Sequence, residues 1–162
     1  MTISVSNPNR FALIYDRSLM PTLAPDRADA VRAKFHSIPI TQTLHYRLDA
    51  LGEGEATLTM PHSGRDFHGI FESLHGGLLM TLADTAACIA VLTRTGVEAA
   101  MTTTDMNIRF LAPCLTDATA EAKIIKFGRS LVPVNVWLRD ANGREVALAQ
   151  VTYMRLEKMP SR

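Results

Sequence analysis

Hydrophobic and polar residues alternate along this chain with two different periods, and the changeovers divide it into elements. In ITQTLHYRLDAL, Leu44, Tyr46 and Leu48 alternate with His45, Arg47 and Asp49. That period of two predicts a half-buried strand starting near Ile40. Gly52 to Gly54 predict a turn, after which EATLTM places Ala56, Leu58 and Met60 on one face, so the pair reads as a hairpin. Residues 61–73 read as a loop. The run GGLLMTLADTAACIAVLTRTG then predicts a long helix closed by Gly96. It is apolar on nearly every side, which marks a helix to be enclosed rather than laid on a surface.

Four extended runs follow. TTTDMNIRFLAP sets Thr104, Met106, Ile108 and Phe110 against Asp105, Asn107 and Arg109. DATAEAKIIKF puts Ala118, Ala120, Ala122 and Ile124 together, and SLVPVNVWLRD does the same for Val132, Val134, Val136 and Leu138. Asn142-Gly143 predicts the hairpin turn into EVALAQVTYMRL. Pro133 cannot donate to a ladder, which predicts an edge position or a bulge there. The order is β-β-α-β-β-β-β, with no helical crossovers among the last four strands. This predicts an α+β fold in which an antiparallel sheet packs on one long helix. One small sheet covers only part of such a helix, so a second subunit is the expected cover for the rest. Residues 1–38 read as an N-terminal extension holding a short helix over about 26–35, and residues 39–158 as a single domain.

Composition narrows the class. The 162 residues are 47% apolar, with 17 basic against 16 acidic side chains. A net charge of +1 supplies no field for nucleic acid, and none is expected as a partner. The basic set is 13 Arg to 4 Lys, a bias toward directed ion pairs or phosphate contacts. Cys88 and Cys114 make neither a disulfide framework nor a metal-ligand spacing. The opening residues lack the pattern of a secretory signal, and the most apolar run carries Asp84 at its centre. A cytoplasmic protein without a membrane span is expected.

The chemistry concentrates at Leu74-His75-Gly76-Gly77, leading into the helix, with Asp84 nine residues after His75. The first amides of a helix have no intrahelical partners, and glycines leave them uncovered. Such a terminus can stabilise negative charge growing on a carbonyl oxygen. Asp84 is the only charged residue between Gly76 and Thr93. A carboxylate there needs a partner or a cavity; core hydroxyls such as Thr81 or Thr85 would satisfy it equally well. His62 and His68 read as loop histidines, the methionines as core filler, and no metal site is expected. Gly128-Arg129-Ser130 reads as a turn between two strands.

The blocks HGGLLMTLADTAACIAV, TTTDMNIRFLAP and KIIKFGRSLVPVNVWLRDANGREVALAQVTYM resemble the hotdog-fold acyl-CoA thioesterases, in particular the phenylacetic-acid-degradation thioesterases. The likeness runs from about 40 to 156. It implies a hotdog fold, an antiparallel sheet wrapped around a central helix, assembled into dimers or dimers of dimers. It implies hydrolysis of acyl-CoA to free acid and CoA, with CoA as part of the substrate and no further cofactor. Asp84 matches the catalytic carboxylate, Gly76 the amide that polarises the thioester carbonyl, and His75 the histidine supporting that loop. Thr103 falls near a position where relatives carry a hydroxyl that orients water. Gly77, Asn107, Phe110, Gly128, Arg129 and Ser130 match regions lining the acyl and pantetheine channel or approaching the cofactor phosphates. The family's sites lie between subunits. Many relatives carry Asn six residues and Gly three residues before the His, where this chain has Gly69 and Glu72. Glu72 is therefore a second candidate carboxylate. A non-hydrolytic acyl-CoA or lipid-binding protein on the same fold, and an enoyl-CoA hydratase, are the alternative readings.

Overall fold

A computed structural model describes residues 20–157. Two short helices, α1 (Pro25–Ser37) and α2 (Pro39–Thr43), lead into strands β1 (Arg47–Gly52) and β2 (Glu55–Met60). A single 3₁₀ turn (Gly64–Phe67) precedes the long helix α3 (Gly76–Thr95). Strands β3 (Met101–Phe110), β4 (Ala118–Ile124), β5 (Leu131–Asp140) and β6 (Glu145–Arg155) complete the fold. The six strands form one sheet in the order β1-β2-β4-β5-β6-β3, with every pairing antiparallel.

The sheet's inner face is built from the alternating residues. Ala56, Leu58 and Met60 of β2, Ala118, Ala120 and Ala122 of β4, and Val132, Val134, Val136 and Leu138 of β5 are fully buried. Alanines on β4 keep that part of the face flat, so α3 can lie close to it. On α3, Leu82, Ala83, Ala86, Ala87, Ile89, Ala90 and Val91 are fully buried. By length and composition α3 could cross a bilayer, but here it is the core helix of the sheet. It ends at Gly96, whose φ of +90° favours glycine. α1 docks on the same core through Val31 and Phe35, both buried.

Three local expectations change. Residues 39–43 are helical, not extended: Pro39 starts α2, Thr41 Oγ1 bonds the Phe35 and Ile38 carbonyls, and the strand begins only at Arg47. Leu44 and Tyr46 are buried from the connecting segment, where His45 has a positive φ of 52°. Pro133 sits in β5, an interior strand, rather than at an edge or in a bulge. The β4 ladder ends at the Ile124–Val134 pair, and Ile125 N–H donates to the Pro133 carbonyl, so the absent amide falls where pairing stops. On β3, a register shift between Thr103 and Asp105 breaks the simple alternation. The bulge turns Thr103, rather than Thr104, to the half-buried face that holds Met106 and Ile108. Phe110, expected on that inner face, is half exposed at the strand's end.

Coverage of α3 is uneven. Gly77, Met80, Thr81, Asp84 and Cys88 follow one helical stripe that is less buried than the rest of the helix. Strand β3, on the sheet's outer edge beside β6, has no fully buried residue.

Candidate active site

The start of α3 is held by its own loop. His75, just before the helix, is extended, and its N–H donates to the Phe67 carbonyl at 2.9 Å. Its ring Nδ1 accepts from Gly77 N–H, also at 2.9 Å. The histidine thus satisfies one of the helix's free amides, while the Gly76 N–H at the first helical position has no intrahelical acceptor. Neither glycine has room for a side chain without movement. A Cβ on Gly76 would stand 2.9 Å from Phe110 Cζ, and one on Gly77 3.0 Å from His75 Nδ1. Gly76, Leu79, Phe110, Leu111 and Cys114 help line a cavity of about 450 Å³.

Two turns along the helix, Asp84 lies half buried on the open stripe. Thr103 Oγ1 and Tyr153 Oη each donate to its Oδ1 at 2.8 Å. The Tyr153 hydroxyl also lies 3.1 Å from the Asp84 backbone carbonyl. Among the described residues nothing donates to Oδ2. The helical threonines considered from sequence do not serve Asp84: Thr81 donates to the Gly77 carbonyl and Thr85 to the Thr81 carbonyl. The hydroxyls come instead from β3 and β6, across the core.

Burial, reinforced by the nearby Cys88 and Asp84, pushes the Tyr153 phenol far above its ordinary range. It therefore stays protonated and remains a donor. Burial likewise pushes the Cys88 thiol up to about 11, although its hydrogen bond with Tyr153 opposes the shift. Cys88 and Cys114 are both free thiols. Tyr153 is the site residue that sequence reasoning missed. The signal was present: Ala147, Ala149, Val151 and Tyr153 share one face of β6, and a buried tyrosine hydroxyl needs a partner.

The other expected residues are dispersed. Glu72 is exposed and lines a separate surface hollow with Arg65, His68, Gly69, Ile70 and Phe71. Asn107 is exposed on β3, its amide oxygen accepting from Arg109 at 2.7 Å. Arg129 and Ser130 are exposed in the β4–β5 connection and line a hollow of about 350 Å³ with Arg155. Gly128 is sterically required there, since a Cβ would come within 2.3 Å of the Leu131 carbonyl oxygen. Arg155 and Arg94 both lie over the Phe127 ring, at 5.0 and 4.5 Å from its centroid. This makes the connection more basic than its own sequence suggests. His62 and His68 face each other, Nε2 to Nε2, at 3.0 Å. Among the described residues no three His, Cys, Asp or Glu side chains gather in a way that could hold a metal ion.

The helix wrapped by a single antiparallel sheet, with a carboxylate two turns into it, defines a hotdog fold. A family model for the thioesterase superfamily matches residues 71–147. A thioesterase family protein from Silicibacter pomeroyi is 30% identical, with a TM-score of 0.74, over 80% of this chain and 98% of that one. A candidate esterase from Saccharolobus solfataricus is 30% identical over 108 residues, 65% of this chain and 74% of its own length. The E. coli PaaI protein of the phenylacetic acid degradation operon shares the fold at a TM-score of 0.76 and 22% identity, over 86% of this chain and all of that one. The chain belongs to the thioesterase superfamily, which places it among hydrolases.

Proposed function

We infer that this protein is an acyl-CoA thioesterase, cleaving the thioester to a free acid and CoA. The observation that supports this most is the Asp84 carboxylate, oriented by two hydroxyls through one oxygen while no described residue donates to its other oxygen. The thioester carbonyl accepts from Gly76 N–H as negative charge develops on its oxygen. Asp84 either takes a proton from the attacking water or attacks the carbonyl itself. In both routes the C–S bond breaks and the thiolate leaves, finally taking up a proton as CoA. In the second, water then hydrolyses the acyl–Asp84 anhydride, releasing the acid and restoring the carboxylate. His75 holds the turn by accepting from Gly77 and takes no proton in this scheme.

Gly76 and Asp84 are eight residues apart on one helix, about 12 Å of axial rise. One chain cannot place both on a single carbonyl. The working unit in this reading is a dimer that joins the Gly76 of one subunit to the Asp84 of the other. The open stripe of α3 and the edge of β3 that no described strand pairs are the surfaces suited to that contact. Arg129, beside Arg155, is suited to the phosphates of the CoA moiety.

The test is a thiol-release assay over a panel of acyl-CoA esters. Asp84→Asn is expected to lower kcat by about 10²-fold or more, the scale of a lost general base, with the fold and dimer content unchanged. Glu72→Gln is expected to cost less than tenfold. Turnover that vanishes in Glu72→Gln and persists in Asp84→Asn would make the loop carboxylate the catalyst. Binding of acyl-CoA without thiol release by the wild type would instead support a non-hydrolytic protein.

A further inference from the structure

We propose that Tyr153 is a positioning residue for the reaction, acting with Thr103 to fix which oxygen of Asp84 reacts. The proposal rests on the reading of Asp84 as the catalytic carboxylate. Its ground is an asymmetry in the hydrogen bonding. Both hydroxyls, one from β3 and one from β6, converge on Oδ1 at 2.8 Å, and no described residue donates to Oδ2. A carboxylate held by one oxygen has its plane and its remaining lone pairs set before substrate arrives. Oδ2 is then the oxygen that meets water or the thioester carbon.

The two donors come from elements that the sheet itself registers. Thr103 pairs with Tyr153 across the β3–β6 ladder, one residue before the bulge. The two residues therefore approach Asp84 together, and the bulge is what points Thr103 inward. Tyr153 is 5% exposed and kept protonated by burial, so its hydroxyl remains a donor. Its hydroxyl oxygen also lies 3.1 Å from the Asp84 backbone carbonyl oxygen, which ties the hydroxyl to the helix as well as to the side chain. Thr103 is the less buried of the two.

This gives the pair a division of labour. Either donor alone still restrains Oδ1, whereas losing both frees the carboxylate to rotate on the open stripe of α3. Tyr153→Phe removes one oxygen and keeps the ring in place, and Thr103→Val keeps the branched shape. Each single variant is expected to lower kcat about tenfold, with KM for acyl-CoA within twofold of wild type. The double variant is expected to fall by more than the product of the singles, because it removes the shared restraint. A merely structural role would instead move melting temperature and KM together and leave the two variants independent.

The experiment is steady-state kinetics on wild type, both single variants, the double variant and Asp84→Asn, with melting temperature and dimer content measured for each. If Asp84→Asn is inactive and Tyr153→Phe keeps wild-type kcat, the positioning role is overturned while the catalytic carboxylate stands. If Asp84→Asn keeps wild-type activity, both readings fall. A drop in Tyr153→Phe that appears equally in KM, or that Thr103→Val does not share, also overturns the proposal. A selective, more than additive loss of kcat establishes it.

Discussion

A methyl group on Gly76 meets the ring of Phe110, not backbone, and that difference decides what the substitution does. The ring atom 2.9 Å away is the far end of a half-exposed side chain, which can swing aside. Gly76→Ala is therefore expected to fold with little change in melting temperature. The displaced ring and the methyl would still disturb the carbonyl site, and a misplacement of about 1 Å can cost about 10²-fold. The expected result is a kcat lowered about 10- to 100-fold, with part of the loss recovered when Phe110→Ala makes room. The measurement is kcat for the single and double variants; an unchanged Gly76→Ala enzyme would remove this amide from the chemistry. At this scale part of the candidate site was legible. The His75-Gly76-Gly77 turn and the lone Asp84 stand out because paired glycines at a helix start and an acid inside an apolar run are uncommon in any sequence. Tyr153 did not stand out, because a tyrosine in a strand is ordinary until its hydroxyl is found 2.8 Å from a carboxylate.

At the level of elements, two adjacent residues in the connection between β4 and β5 are expected to respond differently to substitution. Gly128 has the Leu131 carbonyl oxygen within 2.3 Å of where a Cβ would lie, and a backbone oxygen inside a sheet connection has little freedom to retreat. Gly128→Ala is expected to destabilise by about 1–3 kcal/mol, the usual size of a forced steric change, read as a lower urea midpoint. Arg129 is exposed, so Arg129→Ala is expected to leave stability alone and raise KM for acyl-CoA with kcat little changed. Equal falls in kcat at constant KM would contradict a phosphate contact. The strands themselves were readable from period two, and α3 from its length and its closing Gly96. The bulge on β3 was not: TTTDM offers no Gly or Pro, and only pairing with β6 shows where one residue is left over. Likewise, 39–43 alternates well enough for a strand but starts at a proline and carries Thr41, whose hydroxyl donates back to the Ile38 carbonyl, so it winds into a helical turn.

Across the whole molecule, the buried acids that stay neutral predict how stability depends on pH. Burial raises Tyr153 and Tyr46 above the ordinary phenol range, and raises Cys88 to about 11. In the unfolded chain the thiol ionises near 8.5 and the phenols near 10, roughly as in model peptides. Below about pH 8.5 both states hold these protons and the stabilisation is complete. Above it the unfolded chain releases protons that the folded chain keeps, so stability falls as pH rises, first through the thiol and then through the phenols. Melting temperature is expected to decline between about pH 8.5 and 11, and Tyr46→Phe is expected to flatten the later part of that decline. A melting temperature constant to pH 10.5 would show that these groups are not held as the fold places them.

What the sequence determined by itself was the six strands and the long helix, the class of fold and the unusual character of that helix. Each depends on local periodicity or on a residue that is costly to bury, and both can be read without knowing what lies opposite. Only the tertiary structure decided how Asp84 is held, because its partners Thr103 and Tyr153 lie 19 and 69 residues away in sequence. They meet it through the strand order, which carries β3 past β6 to the far edge of the sheet. Hydrogen bonds act over about 3 Å, and a sequence carries no such distances until the chain has folded.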